Sequence, residues 1–533
     1  MIGLPADGVQ RSPRGVWPAL APLAWAAAVV STAVFVAAPW LDERLVPAGW
    51  LGVAAGLVLA TGRQGWRGEL AVLASAVLAI AIAFHWTPEV LADAMRTSKF
   101  VGFAFAVPIV LWDACRLALP FWVVGRLCRD PRVAWLPAAF VAVVAEAVIP
   151  GVFPWKLGYS QLAWPATVQA AALAGPEAST LTLFATAGAI VAVLATFGPG
   201  GDRRLPAVAT AALVVTVANL AFGTIVIGKV EARMSAAPKL RLAVVQADPD
   251  DAAGIDSLRR LTRTACATNP PPQLVCWPEC SGGSYEDGLD SFADEATVFR
   301  RSRNPQRGLR PLPDPACPLL LGGRIYRGYR ERPREIFQAA LLIDTDERLA
   351  GASQKRHLMP FGEYVPFADV IPELRLSFPM ETTYNVGHDA GPLTSGPARI
   401  GPLLCYEDMV PAAAASLAAD SANLLVSLIH GASFTNPLTL RQHRLLAQQR
   451  AIECRRCLVR CSSTGETCVI DAAGRIVSRL PLGGEGVLDI EVPLLEPLPP
   501  AVRWRWALPA ACAVGLAGLL LGGRLRTLGG LRG

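Results

Sequence analysis

The chain of 533 residues is 53% hydrophobic and only 17% charged, a balance too apolar for a soluble protein of this length. Its net charge of +6 comes mostly from arginines beside apolar runs. That excess is therefore no signature of nucleic-acid binding, and no nucleic-acid partner is expected. No lipidation motif, repeat or low-complexity segment stands out.

Apolar runs near the roughly 20 residues that a bilayer requires lie at 17–38, 47–62, 68–87, 100–125, 133–150, 178–198, 205–228 and 504–523. They predict a multi-pass α-helical membrane domain of about eight spans, although the fourth run carries Asp113 and Arg116. Basic residues fall on alternate loops: Arg11 and Arg14, Arg63 and Arg67, Arg126, Arg129 and Arg132, Arg203 and Arg204, and Arg524 and Arg526. By the positive-inside rule these loops face the cytoplasm. The expected organisation is a cytoplasmic tail (1–16), a seven-helix membrane domain (17–230), an extracytoplasmic domain (238–495), a final membrane helix (504–523) and a second cytoplasmic tail (524–533). The first run is long and is followed by further spans, so it reads as a retained helix rather than a cleaved signal.

Between 238 and 495 the texture changes. Short apolar runs at 240–248, 273–279, 318–326, 337–344, 399–407, 423–430, 457–463 and 466–472 predict strands, and 438–456 predicts a helix. Together they indicate a layered α/β domain. Nine of the twelve cysteines lie in this domain, where disulfides are permitted if it faces outward. The odd count leaves at least one thiol free or paired elsewhere. Cys454, Cys457 and Cys461 have no histidine at ligand spacing, so they read as buried or disulfide cysteines and no metal is expected.

Three segments end in reactive side chains. "CWPE" presents Glu279, "SQKRHLMPFGEYVPF" presents Lys355 and "LLCYED" presents Cys405. Each alone is more often a helix N-terminal glutamate after proline, a solvated lysine or an inert buried cysteine. Taken together they supply a nucleophile, a cation to favour its thiolate and face an oxyanion, and a carboxylate to move protons.

The order Glu279, Lys355, Cys405 with its surrounding motifs resembles the nitrilase superfamily of carbon–nitrogen hydrolases. More narrowly, "GVFPWKLGYSQ" (151–161), "KRHLMPFGEYVP" (355–366) and "CYEDMVP" (405–411) resemble the apolipoprotein N-acyltransferase family. The resemblance implies an αββα sandwich above a membrane domain in the bacterial plasma membrane, facing the periplasm. It also implies a phospholipid acyl donor, a diacylglyceryl apolipoprotein acceptor, a thioester on Cys405 and no cofactor, in a chain expected to act as a monomer. Glu279, Lys355 and Cys405 match the family's triad. Glu363, Glu407 and Tyr406 match supporting residues, and Tyr406 N–H is an oxyanion donor candidate. Trp155, His430 and Phe434 are candidates for the substrate cleft. The family's Asn-Asp-Ala-Trp-Phe-Gly-like stretch is replaced here by His430 to Thr435, which bears on donor and acceptor preference. Segments 302–318 and 367–391 are candidate lids. The rival readings are a membrane-tethered amidase and a non-catalytic paralogue that only binds lipoproteins.

Overall fold

The computed structural model describes residues 22–62, 65–95, 97–197, 206–250, 252–282, 284–287, 317–327, 335–346, 348–374, 383–431 and 436–529. The first part is helical: α1 (Pro22–Leu41), α2 (Val46–Gly62), α3 (Trp66–Ala83), the short α4 (Thr87–Ala94), α5 (Lys99–Leu127), α6 (Pro131–Val148), α7 (Ala178–Phe197) and α8 (Ala207–Ala236). Among the described residues, six helices are long and apolar enough to cross a membrane by length and composition. They include the second, third and fourth expected spans. The first and last expected spans coincide with shorter apolar helices, Trp25–Leu41 and Ala507–Leu521.

The charges inside the fourth run are compatible with a membrane helix because they neutralise each other. In α5, Arg116 Nη2 lies 3.3 Å from Asp113 Oδ1, and the guanidinium stacks 4.5 Å over the Trp155 ring. A paired, stacked cation turned into the bundle costs far less than one facing lipid.

The second part contains two mixed sheets. The first runs β13 (Gly486–Pro493), β1 (Lys239–Gln246), β2 (Leu274–Cys276), β4 (Leu319–Arg327), β5 (Glu335–Ile343) and β6 (Leu349–Gln354), with β3 (Ser284–Asp287) also paired to β4. The second runs β12 (Ile476–Arg479), β11 (Cys468–Ile470), β10 (Leu458–Ser462), β9 (Leu424–Ile429), β8 (Ala398–Leu404) and β7 (Leu393–Ser395).

Alternation along the strands explains the layering. In β1, Leu240, Leu242 and Val244 join Ile400, Leu424, Val426 and Val459 of the other sheet in one core. Ala243 and Val245 point the opposite way, into a core shared with α9 (Ala252–Cys266). The outer face of the second sheet is covered by α10 (Pro411–Ala419) and α11 (Pro437–Cys454). Period-2 strands with apolar residues on both faces need a cover on each side, and the result is an αββα sandwich. Cys454 packs in the outer core while Cys457 and Cys461 pack between the sheets. These three therefore do not converge on a metal.

α12 (Ala507–Gly529) follows the sandwich. The two parts share a continuous apolar core, in which Tyr406, Met409, Leu445, Leu446 and Ile452 pack with residues of the membrane helices. Polar ties reinforce it. Gln442 of α11 accepts from Trp86 Nε1 at 2.9 Å and donates to Trp40 O at 3.0 Å and Ala83 O at 2.9 Å. Arg450 donates to Tyr159 Oη at 2.7 Å and to Met409 O at 2.8 Å.

Candidate active site

Each reactive residue stands just beyond the end of a strand, where the sheet fixes the backbone and the next loop aims the side chain. Glu279 follows β2, Lys355 follows β6 and Cys405 follows β8. The structure brings the three together. Lys355 Nζ lies 2.6 Å from Glu363 Oε1, 3.4 Å from Glu279 Oε1 and 3.3 Å from Gln338 Oε1. Lys355 is 1% exposed. Burial works against its charge, yet Glu363 and then Glu279 hold it protonated well above its ordinary range.

Glu279 is seated against β4. A Cβ on Gly322 would stand 2.6 Å from Glu279 Cα and 3.2 Å from Cys280 N, so only glycine lets the two backbones approach this closely. Gly322 N donates to Pro278 O at 3.4 Å, and Gly282 N donates back to Gly322 O at 2.8 Å.

Cys405 begins a one-turn 3₁₀ segment, Cys405–Met409, with φ of +47°. A left-handed conformation at a residue with a side chain costs about 1–2 kcal/mol and sharply re-aims the chain at the strand end. Glu407 holds that elbow. Its Oε2 accepts from Leu404 N at 3.1 Å, while its Oε1 accepts from Arg356 N at 2.8 Å and His357 N at 3.0 Å. One carboxylate thus ties the Cys405 turn to the segment that carries the lysine.

The half-buried Cys405 thiol is not the ready thiolate that an adjacent cation suggests. Burial and then the charge of Glu279 push it well above the usual thiol range, with Glu363 and Asp408 adding to the rise and Lys355 opposing it. Burial and three carboxylates outweigh one ammonium, so the resting thiol is protonated and an attack through its sulfur would need a base.

Behind the nucleophile lies a network that sequence reading missed. Asp408, wholly buried, accepts from Ser427 Oγ at 2.8 Å and Arg460 Nε at 3.1 Å and meets His443 Nε2 at 2.7 Å. Burial alone would raise its carboxyl, but His443 and then Arg460 bring it below its usual range. The acid was visible in "CYED", whereas its partners come from strands and helices distant in sequence.

Tyr406 Oη donates to Val152 O at 3.0 Å, joining the site to the loop 149–156. A cavity of about 850 Å³ opens there, lined by Trp155 and Lys156 from that loop, Arg356, His357 and Tyr364 from the loop after Lys355, and Tyr406. Cys405 itself is not on its lining, but residues adjacent in sequence to both Cys405 and Lys355 are. Trp155 meets Trp40 edge-on at 5.9 Å and Phe84 at 5.7 Å. His430 is not on this lining, and its Nε2 lies 3.4 Å from Asp250 Oδ1. Phe434 lies outside the described residues, as do 302–316 and 375–382 of the two candidate lids.

Residues 241–496 match the carbon-nitrogen hydrolase family. Over 424 residues the chain is 30% identical to the apolipoprotein N-acyltransferase of Pseudomonas putida, covering 76% of this chain and 79% of that one. Over 461 residues it is 31% identical to that of Azotobacter vinelandii, covering 83% of each. The chain belongs to the apolipoprotein N-acyltransferase family. A solved carbon-nitrogen hydrolase of Helicobacter pylori G27, 18% identical, covers 51% of this chain and 94% of its own with a TM-score of 0.37, and adds nothing beyond the family match. An apolipoprotein N-acyltransferase relationship that spans most of the chain includes the membrane helices as well as the sandwich. Of the loop after β9, His430 and Gly431 are described and 432–435 lie outside the described residues.

Proposed function

We propose that this protein transfers an acyl chain from a phospholipid, through a thioester on Cys405, to the N-terminal α-amine of a diacylglyceryl-modified apolipoprotein. The observation that carries the reading is the position of Lys355 Nζ between Glu363 Oε1 at 2.6 Å and Glu279 Oε1 at 3.4 Å, with the charges of all three acting on the Cys405 thiol. The site sits beside a cavity whose wall belongs partly to the sandwich and partly to the ends of the membrane helices. That placement suits substrates whose acyl chains stay in the membrane.

In the first half-reaction Glu279 takes the Sγ proton as sulfur attacks the ester carbonyl. The oxyanion forms beside the Lys355 ammonium and the Tyr406 N–H, and collapse expels the lysophospholipid alkoxide, which receives the proton from Glu279. In the second, the acceptor amine attacks the thioester, Glu279 takes its proton, and collapse to the amide expels the Cys405 sulfur, which receives that proton from Glu279. Glu363 keeps Lys355 charged and in place throughout. The alternate-loop arginine pattern supports an outward-facing sandwich.

The test is product analysis with purified protein, a phospholipid and a diacylglyceryl lipopeptide in detergent. The account expects a lipopeptide N-acylated at its terminal amine, formed with lysophospholipid and lost in Cys405→Ala. Free fatty acid as the sole acyl product would instead favour the tethered hydrolase.

A further inference from the structure

In the first sheet β1, β2 and β4 run parallel, and α9 connects β1 to β2. Such a helix runs back antiparallel to the strands, so its last residue returns to the end of the sheet where the next strands begin. Cys266 is the last residue of α9. Cys317 stands two residues before Leu319, the first residue of β4, and Leu319 pairs with Val275 of β2. Both cysteines pack in the same apolar core as Leu258, Trp277 and Leu319. Their side chains meet there, the Cys266 thiol donating to the Cys317 sulfur. Trp277 Nε1, bonded to Thr262 Oγ1 at 2.8 Å, fixes the helix on the sheet. The pair lies at the opposite end of β2 from Glu279.

We propose that Cys266 and Cys317 form a structural disulfide. The inference rests on the proposed outward placement of the sandwich, because that compartment is oxidising. The reaction joins two sulfurs in one S–S bond and releases two protons. The two electrons pass by thiol–disulfide exchange to a protein disulfide, which becomes a dithiol. The bond closes the chain segment 267–316, which carries Glu279, by joining its two ends. Unfolded conformations lose freedom, and the catalytic end of β2 is held from behind without any catalytic group being touched. Seven cysteines of the domain then remain reduced, Cys405 among them.

Peptide mapping of full-length protein, alkylated without reduction as its membranes are opened, tests the proposal. The expected result is a Cys266–Cys317 linked peptide that is two hydrogens lighter than its parts and disappears on reduction. Purified reduced protein, exposed to oxidised glutathione, forms the same link ahead of any other. Alkylation of both thiols in each arm overturns the pairing whatever the compartment. A link formed only with oxidised glutathione overturns its presence in the cell. Labelling of Asp420→Cys with a membrane-impermeant maleimide in intact cells then shows whether the outward placement has failed with it. Cys266→Ser and Cys317→Ser each lower Tm by roughly 5–10 °C, retain acyl transfer and no longer respond to reductant. The unsubstituted protein falls to the same Tm when reduced, and a Tm unmoved by reductant contradicts the proposal.

Discussion

Tyr406 Oη donates to Val152 O at 3.0 Å, so the residue next to Cys405 is anchored to the loop that joins two membrane helices. The Cys405–Met409 turn and the membrane domain are therefore tied together at this point. Tyr406→Phe removes that bond and keeps the ring. A single neutral hydrogen bond is worth about 0.5–1.5 kcal/mol, so acyl transfer should fall roughly 2- to 10-fold. Measured kcat/KM for the lipopeptide checks it, with Tm as the control for folding.

Glu363 raises the Cys405 thiol through its charge. Glu363→Gln should therefore move the alkylation of Cys405 to lower pH, because one of the anions that oppose thiolate formation is gone. The same change loosens Lys355 and should reduce transfer by about 10²-fold or more. The pair of effects, a more reactive thiol in a poorer enzyme, is read from iodoacetamide kinetics across pH 6–10 (about the working range of the probe) and from the transfer assay. A thiol titrating higher in the variant contradicts the electrostatic assignment.

Gly322→Ala tests the seat of Glu279. The added methyl would need to occupy a point 2.6 Å from Glu279 Cα, and backbone must shift to admit it. A displacement near 1 Å costs about 10²-fold in rate. Transfer should drop by roughly that factor while the helical and sheet content, seen by circular dichroism, is retained.

Asp408 is a buried anion with three partners. Asp408→Asn leaves His443 and Arg460 facing a neutral amide and should destabilise the fold by about 3–5 kcal/mol. The sign of the pH effect follows from its lowered carboxyl. The stabilisation is fully present above the ordinary aspartate range and is lost as pH falls through it toward the folded value. Chemical unfolding at neutral pH and near pH 3 (about one unit below the ordinary value) should show the difference between parent and variant shrinking in acid.

Much of this architecture was legible. Eight of the strands lie in apolar runs whose residues fill one or both faces of a sheet, and the acid, lysine and cysteine stood out because chemistry follows the ends of such runs. β6, which carries Lys355, was not legible as a strand. "LAGASQ" is polar and small because it is an edge strand, where one side has no neighbour to bury against. β13 was missed as well, since "GVLDIEVP" mixes acids into its alternation along an exposed edge. The Asp408 network could not be read because His443 and Arg460 are 35 and 52 residues away, and only the packing of α11 and β10 around the turn brings them in. The thiol's resting state could not be fixed from sequence for a related reason. Sequence shows one lysine and several acids but not which acids close on the sulfur.

The central claim is that Cys405 carries the acyl chain. Purified protein incubated with phospholipid alone, then denatured in acid and analysed by intact mass and peptide mapping, tests it most directly. The account predicts one acyl-sized gain, localised to the peptide containing Cys405, released by hydroxylamine and transferred to a lipopeptide amine when acceptor is added before denaturation. An acyl group found on another residue, or N-acylated lipopeptide formed by Cys405→Ala protein, would contradict it.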